Sequence, residues 1–137
     1  MVVASVSQKY GDDMARMEHF ALIALGGLLG TLLRYGLVEA WSTAHFPWPT
    51  LLVNVAGSGL LGVVTARPTR IQLQRLLAVG FCGGLTTFST LSLEVVRLLD
   101  AGDPGVAAIY VVASLVLGLA AFVAGRALGA SRLELQP

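Results

Sequence analysis

A stretch rich in glycine and hydroxyl side chains, residues 80–91, lies inside an apolar segment long enough to cross a bilayer. Its twelve residues include three glycines and four hydroxyl side chains. Glycine and adjacent threonines both weaken a helix, so we expect a transmembrane helix to break here. The backbone groups that a break frees persist inside a membrane only where protein, an ion or a water-filled cavity satisfies them. The stretch therefore indicates part of an ion or solute pathway rather than a plain anchor.

The composition is that of a small integral membrane protein. Of the 137 residues, 55% are hydrophobic and 12% are charged, and the mean hydropathy is +0.78; a soluble domain carries roughly 25% charged residues. The net charge is only +1, and no basic run indicates a nucleic-acid partner. The single cysteine, Cys82, excludes an internal disulfide and a cysteine metal cluster. The two histidines, His19 and His45, lack the spacing of metal ligands.

Four apolar segments follow one another with short connections: residues 20–41, 49–66, 71–99 and 105–128. Spanning a bilayer needs roughly 20 residues, so each segment can cross once, and the third can be broken at its centre and still cross. We predict an all-α integral membrane protein with one four-helix domain at residues 19–130. Residues 1–18 are predicted to be a disordered amino-terminal tail, in which Met17 is a second candidate start. Residues 131–137 are predicted to be a carboxyl-terminal tail.

Small residues four positions apart recur in every segment and predict close helix packing. The pairs are Gly26 and Gly30, Ser58 and Gly62, Gly80 and Gly84, and Ala121 and Gly125. Such pairs are common in membrane helices, so they indicate a tight bundle but no particular function.

Polar side chains inside the apolar segments are the candidates for a functional path, because intramembrane polar groups are costly. Thr50 and Asn54 share one face of the second helix, and Tyr110 and Ser114 form a hydroxyl stripe on the fourth. Each has a purely structural alternative. Asn54 could make an ordinary interhelical hydrogen bond, and Ser114 could donate to a carbonyl of its own helix. Arg34 either snorkels to the headgroups or places a positive charge at the mouth of an anion path.

No enzyme signature occurs: the sequence has no nucleophile–base pair, metal-ligand cluster or phosphate-binding loop. One alternative to a channel is a small proton-coupled exporter of the multidrug type, which needs a membrane-embedded carboxylate. The candidates, Glu39 and Glu94, lie near helix ends, and Glu94 is spaced to pair with Arg97. A non-transporting assembly subunit is a third alternative, which the broken helix and the polar faces disfavour.

Three segments carry motifs in the order and spacing of a known family. They are Gly26-Gly27-Leu28-Leu29-Gly30 with Arg34-Tyr35, then Pro49-Thr50-Leu51 with Asn54, Gly57-Ser58 and Gly62, then Gly80-Phe81 with Gly83-Gly84-Leu85-Thr86-Thr87-Phe88-Ser89-Thr90. On these motifs the chain resembles the Fluc (CrcB) fluoride channels, over about residues 20–128.

The resemblance implies a fluoride-specific channel subunit that gives passive fluoride efflux and so reduces cytoplasmic fluoride and its toxicity. It implies a multi-pass protein of the cell membrane (inner or plasma) whose two subunits pack as an antiparallel, dual-topology dimer. It also implies one structural Na⁺, not transported, that the backbone carbonyls matching Gly83 and Thr86 would hold.

The same resemblance implies a set of pore residues. The set comprises Asn54, Phe88, Ser89, Thr90, Tyr110, Ser114 and Thr50, with Arg34 in the vestibule. Ring edges carry partial positive charge, so a phenylalanine can face an anion without trapping it. The family pattern usually reads Thr-Thr-Phe-Ser-Thr-Phe, whereas the sixth position here is Leu91. This departure predicts that one of the pores touching the subunit is altered or inactive.

The basic residues are distributed unevenly if the amino terminus, the second connection and the carboxyl terminus share one side. That side then holds Lys9, Arg16, Arg67, Arg70, Arg75, Arg126 and Arg132, and the other side holds Arg97. A distribution of seven basic residues on one side against one on the other predicts that the basic-rich side is cytoplasmic. An antiparallel homodimer needs both orientations, so two alternatives stay open. Either a homodimer tolerates the bias, or the chain pairs with a paralogue of opposite topology.

Overall fold

The computed structural model describes the backbone of residues 2–41, 45–67 and 70–131. The described residues form helices α1 (Val2–Ala40), α2 (Trp48–Ala66), α3 (Ile71–Gln74), a π-helical stretch (Arg75–Cys82), α4 (Gly83–Leu85), α5 (Phe88–Asp100) and α6 (Pro104–Ser131). Within these described ranges, four parts are long and apolar enough to cross a membrane: Arg16–Ala40, Trp48–Ala66, Ile71–Asp100 and Pro104–Ser131. The prediction of an all-α membrane protein with four spans is confirmed.

The first helix begins earlier than the sequence pattern predicts. Its backbone is helical from Val2, through the segment predicted to be a disordered tail, while its membrane-crossing part begins at Arg16. This segment has one glycine and no proline, so a helix already fixed by the span can propagate through it. The domain boundaries at residues 18 and 130 stay predictions, and residues 132–137 lie outside the described chain.

The first helix packs closely on the first half of the third span. A Cβ atom at Gly26 would collide with the carbonyl oxygen of Leu76, and one at Gly30 would collide with that of Phe81. The two backbones therefore approach to a distance that only glycine permits at these positions. The predicted small-residue faces of these two helices do face each other.

The second close pair is α2 with α6. A Cβ atom at Gly62 would collide with the carbonyl oxygen of Phe122, and one at Gly125 would collide with that of Gly59. Gly59, which the four-residue spacing does not single out, thus joins the predicted contact. Because helices gain little from apolar burial inside lipid, such backbone approach is a principal source of their packing energy.

The third span is interrupted at its centre. α4 ends at Leu85, and the next two residues, Thr86 and Thr87, have extended backbone with φ, ψ of −79°, 152° and −147°, 125°. α5 then begins at Phe88. The predicted break is confirmed and lies at the adjacent threonines, whose β-branched side chains favour extended backbone.

Most of the apolar surface of the single chain is uncovered. In the most apolar windows of the first and fourth spans, only 11% of residues are buried. The side chains of Thr50 and Tyr110, in contrast, have 0% of their surface exposed. The best-covered residues thus include polar side chains beside apolar ones such as Leu51 and Cys82, and the apolar outer faces are left for lipid or another subunit.

Candidate functional site

The break in the third span is closed by one side chain from α2. The Asn54 Nδ2 atom donates to the Thr87 carbonyl at 3.0 Å, and the Thr87 N–H donates to the Asn54 Oδ1 atom at 2.7 Å. An amide side chain offers a donor and an acceptor, as a peptide group does, so it satisfies both backbone groups of Thr87 at once. The interhelical hydrogen bond considered for Asn54 is present, and its partner is the broken backbone itself.

The first turn of α5 gathers hydroxyl groups. The Thr87 Oγ1 atom accepts from the Thr90 N–H at 3.2 Å, which caps the helix. It also donates to the Thr90 Oγ1 atom at 3.0 Å and lies 3.2 Å from the Ser89 Oγ atom. A helix amino terminus carries a partial positive charge and free N–H groups, so this region is electrostatically suited to an anion.

Two carbonyl groups lose their usual helical donors at the break. The Thr87 N–H, the regular partner of the Gly83 carbonyl, donates to Asn54. The Thr90 N–H, the regular partner of the Thr86 carbonyl, donates to the Thr87 hydroxyl. The oxygens of Gly83 and Thr86 are thereby released from the helical hydrogen-bond ladder. Oxygens of this kind are ligands that hard cations prefer.

The first helix supplies side-chain donors to the same turn. The Thr31 Oγ1 atom donates to the Gly84 carbonyl at 3.4 Å, and the Arg34 Nη1 atom donates to the Thr86 carbonyl at 3.4 Å. Arg34 therefore directs its charge towards the break instead of snorkelling away from it. A carbonyl has two lone pairs, so the Thr86 oxygen keeps capacity for a second partner.

An open cleft of about 410 Å³ lies beside the break. It brings together five of the sequence-predicted site residues, namely Asn54, Gly83, Thr86, Phe88 and Ser114. Leu91 lies in the same cleft as Phe88, at the position where the family pattern has a second phenylalanine. The cleft thus combines an amide, hydroxyl groups and a single aromatic ring with apolar walls.

A second polar group joins three helices, and we call Thr50, Glu94 and Tyr110 the hydroxyl–carboxylate cluster. The Thr50 hydroxyl donates to the Glu94 Oε1 atom at 2.8 Å, and the Tyr110 hydroxyl donates to the Oε2 atom at 2.6 Å. The Ser114 hydroxyl donates to the Tyr110 carbonyl at 2.7 Å. This is the alternative that the sequence offers for Ser114, a bond within its own helix. Since Ser114 also lines the cleft, it links the two polar regions.

Glu94 is the residue that sequence reasoning missed. The spacing pairs it with Arg97, but its carboxylate accepts from hydroxyl groups on α2 and α6 instead. A carboxylate inside an apolar segment was the available signal, because such a group usually has a partner within the bundle. Its position near the end of the third apolar segment concealed this, since segment ends commonly carry charges that reach water, whereas the structure places it midway along α5.

The family of the chain is decided by a match to a protein-family model. The model described as CrcB-like protein, Camphor Resistance (CrcB), matches residues 21–126. The chain belongs to the CrcB family. The matched residues of this CrcB protein contain the cleft and the hydroxyl–carboxylate cluster in full.

Curated relatives of this CrcB chain cover most of its length. A protein named fluoride-specific ion channel FluC from Agrobacterium fabrum is 43% identical over 122 residues, which is 82% of this chain and 97% of the relative. A protein of the same name from Thermus thermophilus is 47% identical over 120 residues, 82% of this chain and 96% of the relative. Fluoride-specific ion channel FluC 2 from Bacillus subtilis is 46% identical over 107 residues, which is 75% of this chain and 81% of the relative.

Proposed function

We propose that the chain is a subunit of a fluoride-specific ion channel of the cell membrane, through which fluoride leaves the cytoplasm passively. The observation that carries this proposal is the broken third span, whose backbone at Thr87 is held by Asn54 beside a cleft that contains Phe88. The names of the relatives support fluoride as the transported ion. They also count against an enzyme and against a proton-coupled exporter.

The proposed fluoride path uses the amide, ring and hydroxyl groups of both polar regions. Its residues are Asn54, Phe88, Ser89, Thr90, Thr50, Tyr110 and Ser114, with Arg34 in the vestibule. The ring of Phe88 is 80% exposed in the single subunit, so its edge is available to an anion. Several weak contacts in sequence suit conduction, because an ion must leave each position as readily as it enters.

Ion efflux from proteoliposomes tests this function. Purified chain in liposomes loaded with potassium fluoride should release fluoride when a potassium ionophore is added, as recorded by a fluoride electrode. Liposomes loaded with potassium chloride should release no chloride above the protein-free background. Fluoride release that requires a proton gradient, or chloride release at a comparable rate, would contradict a passive fluoride-specific channel.

Replacing Leu91 by phenylalanine should raise fluoride flux. The substitution places a second polarised ring edge beside Phe88 in the cleft. If it repairs one altered pore beside one intact pore, the gain is at most about twofold. Leu115→Phe is the matched control, because it adds a ring to the same cleft from α6 and should give no gain. Unchanged or lower flux from Leu91→Phe would show that leucine does not limit conduction.

The structural Na⁺ implied by the family resemblance is proposed to bind the Gly83 and Thr86 carbonyl oxygens. Both oxygens are released from the helical ladder at the break, which supports this assignment. Unwound backbone oxygens inside membrane proteins commonly hold cations of this kind. A sodium ion takes more than two oxygen ligands, so we propose that a second subunit adds the same pair. The bound ion would supply a fixed positive charge at the centre of the third span.

Sodium should therefore stabilise the purified protein. Above its dissociation constant, each tenfold rise in Na⁺ concentration is expected to add about 1.4 kcal/mol to the free energy of unfolding. Thermal unfolding in detergent measures this, with N-methyl-D-glucamine chloride keeping the ionic strength constant. Identical midpoints in the two salts would exclude a sodium site that is coupled to folding.

We propose that the functional unit is an antiparallel dimer. The uncovered outer faces, the open cleft and the exposed ring of Phe88 support a second subunit against this side. The basic residues are distributed seven to one, so pairing with a paralogue of opposite topology competes with a homodimer. A carboxyl-terminal topology reporter separates the two: signal from the cytoplasmic side alone favours the paralogue, and equal signal from both sides favours the homodimer.

A further inference from the structure

An aromatic side chain from the connection between α1 and α2 covers the hydroxyl–carboxylate cluster. The ring of Phe46 meets the ring of Tyr110 edge to face, with centroids 5.6 Å apart and planes at 79°. The same ring contacts Trp48, with centroids 4.6 Å apart. Edge-to-face contact is a preferred and directional arrangement of aromatic rings. Tyr110 lies about two turns into α6, yet it has 0% of its surface exposed.

The segment that carries Phe46 is held in place. The Trp48 N–H donates to the Phe46 carbonyl at 2.8 Å, and the Leu51 N–H donates to the Pro47 carbonyl at 3.2 Å. Pro47 fixes its own φ angle, which removes a further degree of freedom. The Phe46 ring is therefore presented to Tyr110 by a fixed turn at the start of α2.

Fixing the ring of Tyr110 also fixes its hydroxyl group. The hydroxyl lies at the far end of the ring, so a small rotation of the ring moves it away from the Glu94 Oε2 atom, now 2.6 Å away. The same carboxylate accepts from Thr50 at its other oxygen, Oε1. Control over the Tyr110 ring is thus control over one of the two hydroxyl groups that hold Glu94.

We propose that Phe46 is a positioning residue for fluoride transfer at this end of the path. It holds the Tyr110 hydroxyl against Glu94 and closes the cluster to water from the α1–α2 connection. The inference rests on the proposed function, because it assigns Phe46 a role only if fluoride passes the hydroxyl donors. Phe46 acts through Tyr110, which predicts that the effects of changing the two residues are coupled.

A double-mutant cycle on fluoride flux tests the coupling. Phe46→Ala should lower flux about tenfold or more, because misplaced donors cost much of the rate. In a Tyr110→Phe background, which lacks the hydroxyl, the same substitution should change flux by less than about twofold. Trp41→Ala removes another aromatic ring, 54% exposed, at the end of α1 and should leave flux unchanged. Phe46→Leu keeps much of the side-chain volume without the ring. It replaces Phe46→Ala in the double-mutant cycle if the purified alanine variant is not monodisperse.

The outcomes separate this inference from the proposed function. Wild-type flux from Phe46→Ala, or losses that multiply independently with Tyr110→Phe, would overturn the positioning role alone. A wild-type chain without fluoride flux, both alone and together with a paralogue of opposite topology, would overturn the proposed function, and the role of Phe46 with it.

Discussion

Alanine in place of Asn54 is expected to lower fluoride flux by about 100-fold or more. The substitution removes both bonds to Thr87, whose side chain has only 7% of its surface exposed, and leaves an N–H and a carbonyl unsatisfied. Each unsatisfied buried group costs about 1–3 kcal/mol, and the membrane offers no water to replace the lost partner. The break should shift to recover its bonds, which displaces Phe88 from the cleft. Efflux and thermal unfolding measure the two losses.

Two further variants sharpen the test of Asn54. Asn54→Asp keeps an acceptor for the Thr87 N–H but cannot, when ionised, donate to the Thr87 carbonyl. It should therefore conduct poorly as well. Thr65→Ala lies on the same helix and loses only hydroxyl bonds to carbonyls of that helix, so it should change stability by less than about 0.5 kcal/mol. Wild-type flux and stability in Asn54→Ala would show that Asn54 does not hold the break.

Alanine in place of Gly26 is expected to separate α1 from the third span. The added methyl group would collide with the carbonyl oxygen of Leu76 and would lie 2.8 Å from the Phe81 nitrogen, and neither backbone atom can move without shifting a helix. Overpacking of this kind costs about 1–3 kcal/mol, occasionally more. The displaced segment leads directly into α4 and the break, so fluoride flux should fall together with the midpoint of thermal unfolding.

The adjacent glycine provides a matched control. A Cβ atom at Gly27 would lie 3.9 Å from the Gly80 carbonyl oxygen, an ordinary contact. Gly27→Ala has the same composition and nearly the same helix propensity as Gly26→Ala, so any difference between them reports the close packing. Equal stability of the two variants would contradict the packing of α1 on the third span.

The sequence predicts the elements of this fold better than their arrangement. The apolar segments locate all four spans, and the glycines and adjacent threonines locate the break to within a few residues. Which helix packs on which is not predictable from the pattern, because Gly26, Gly62 and Gly125 all occur in similar small-residue pairs. The pairing of α1 with the third span depends on how the two surfaces fit, and four-residue spacing does not encode that.

The candidate site divides in the same way. Asn54 can be identified from sequence as a costly polar group in a membrane helix. Its partner, the backbone of Thr87, carries no side-chain signal and emerges only once α2 and the third span lie together. For Glu94 the sequence signals a carboxylate that needs a partner, but it does not show that the partners are hydroxyl groups on two other helices and not Arg97. The sequence therefore does not predict two kinds of contact between helices: those made by the backbone and those made by one acceptor that two donors share.

The closure of the break by a side chain also bears on how the chain enters the membrane. Asn54 precedes Thr87 by 33 residues, so α2 is synthesised before the broken span. The N–H and carbonyl of Thr87, which have no helical partner, therefore enter the bilayer when Asn54 is already there. A permuted chain in which α2 follows the third span would have to insert bare backbone first. The order of the helices thus protects the broken backbone at Thr87, which lipid cannot solvate.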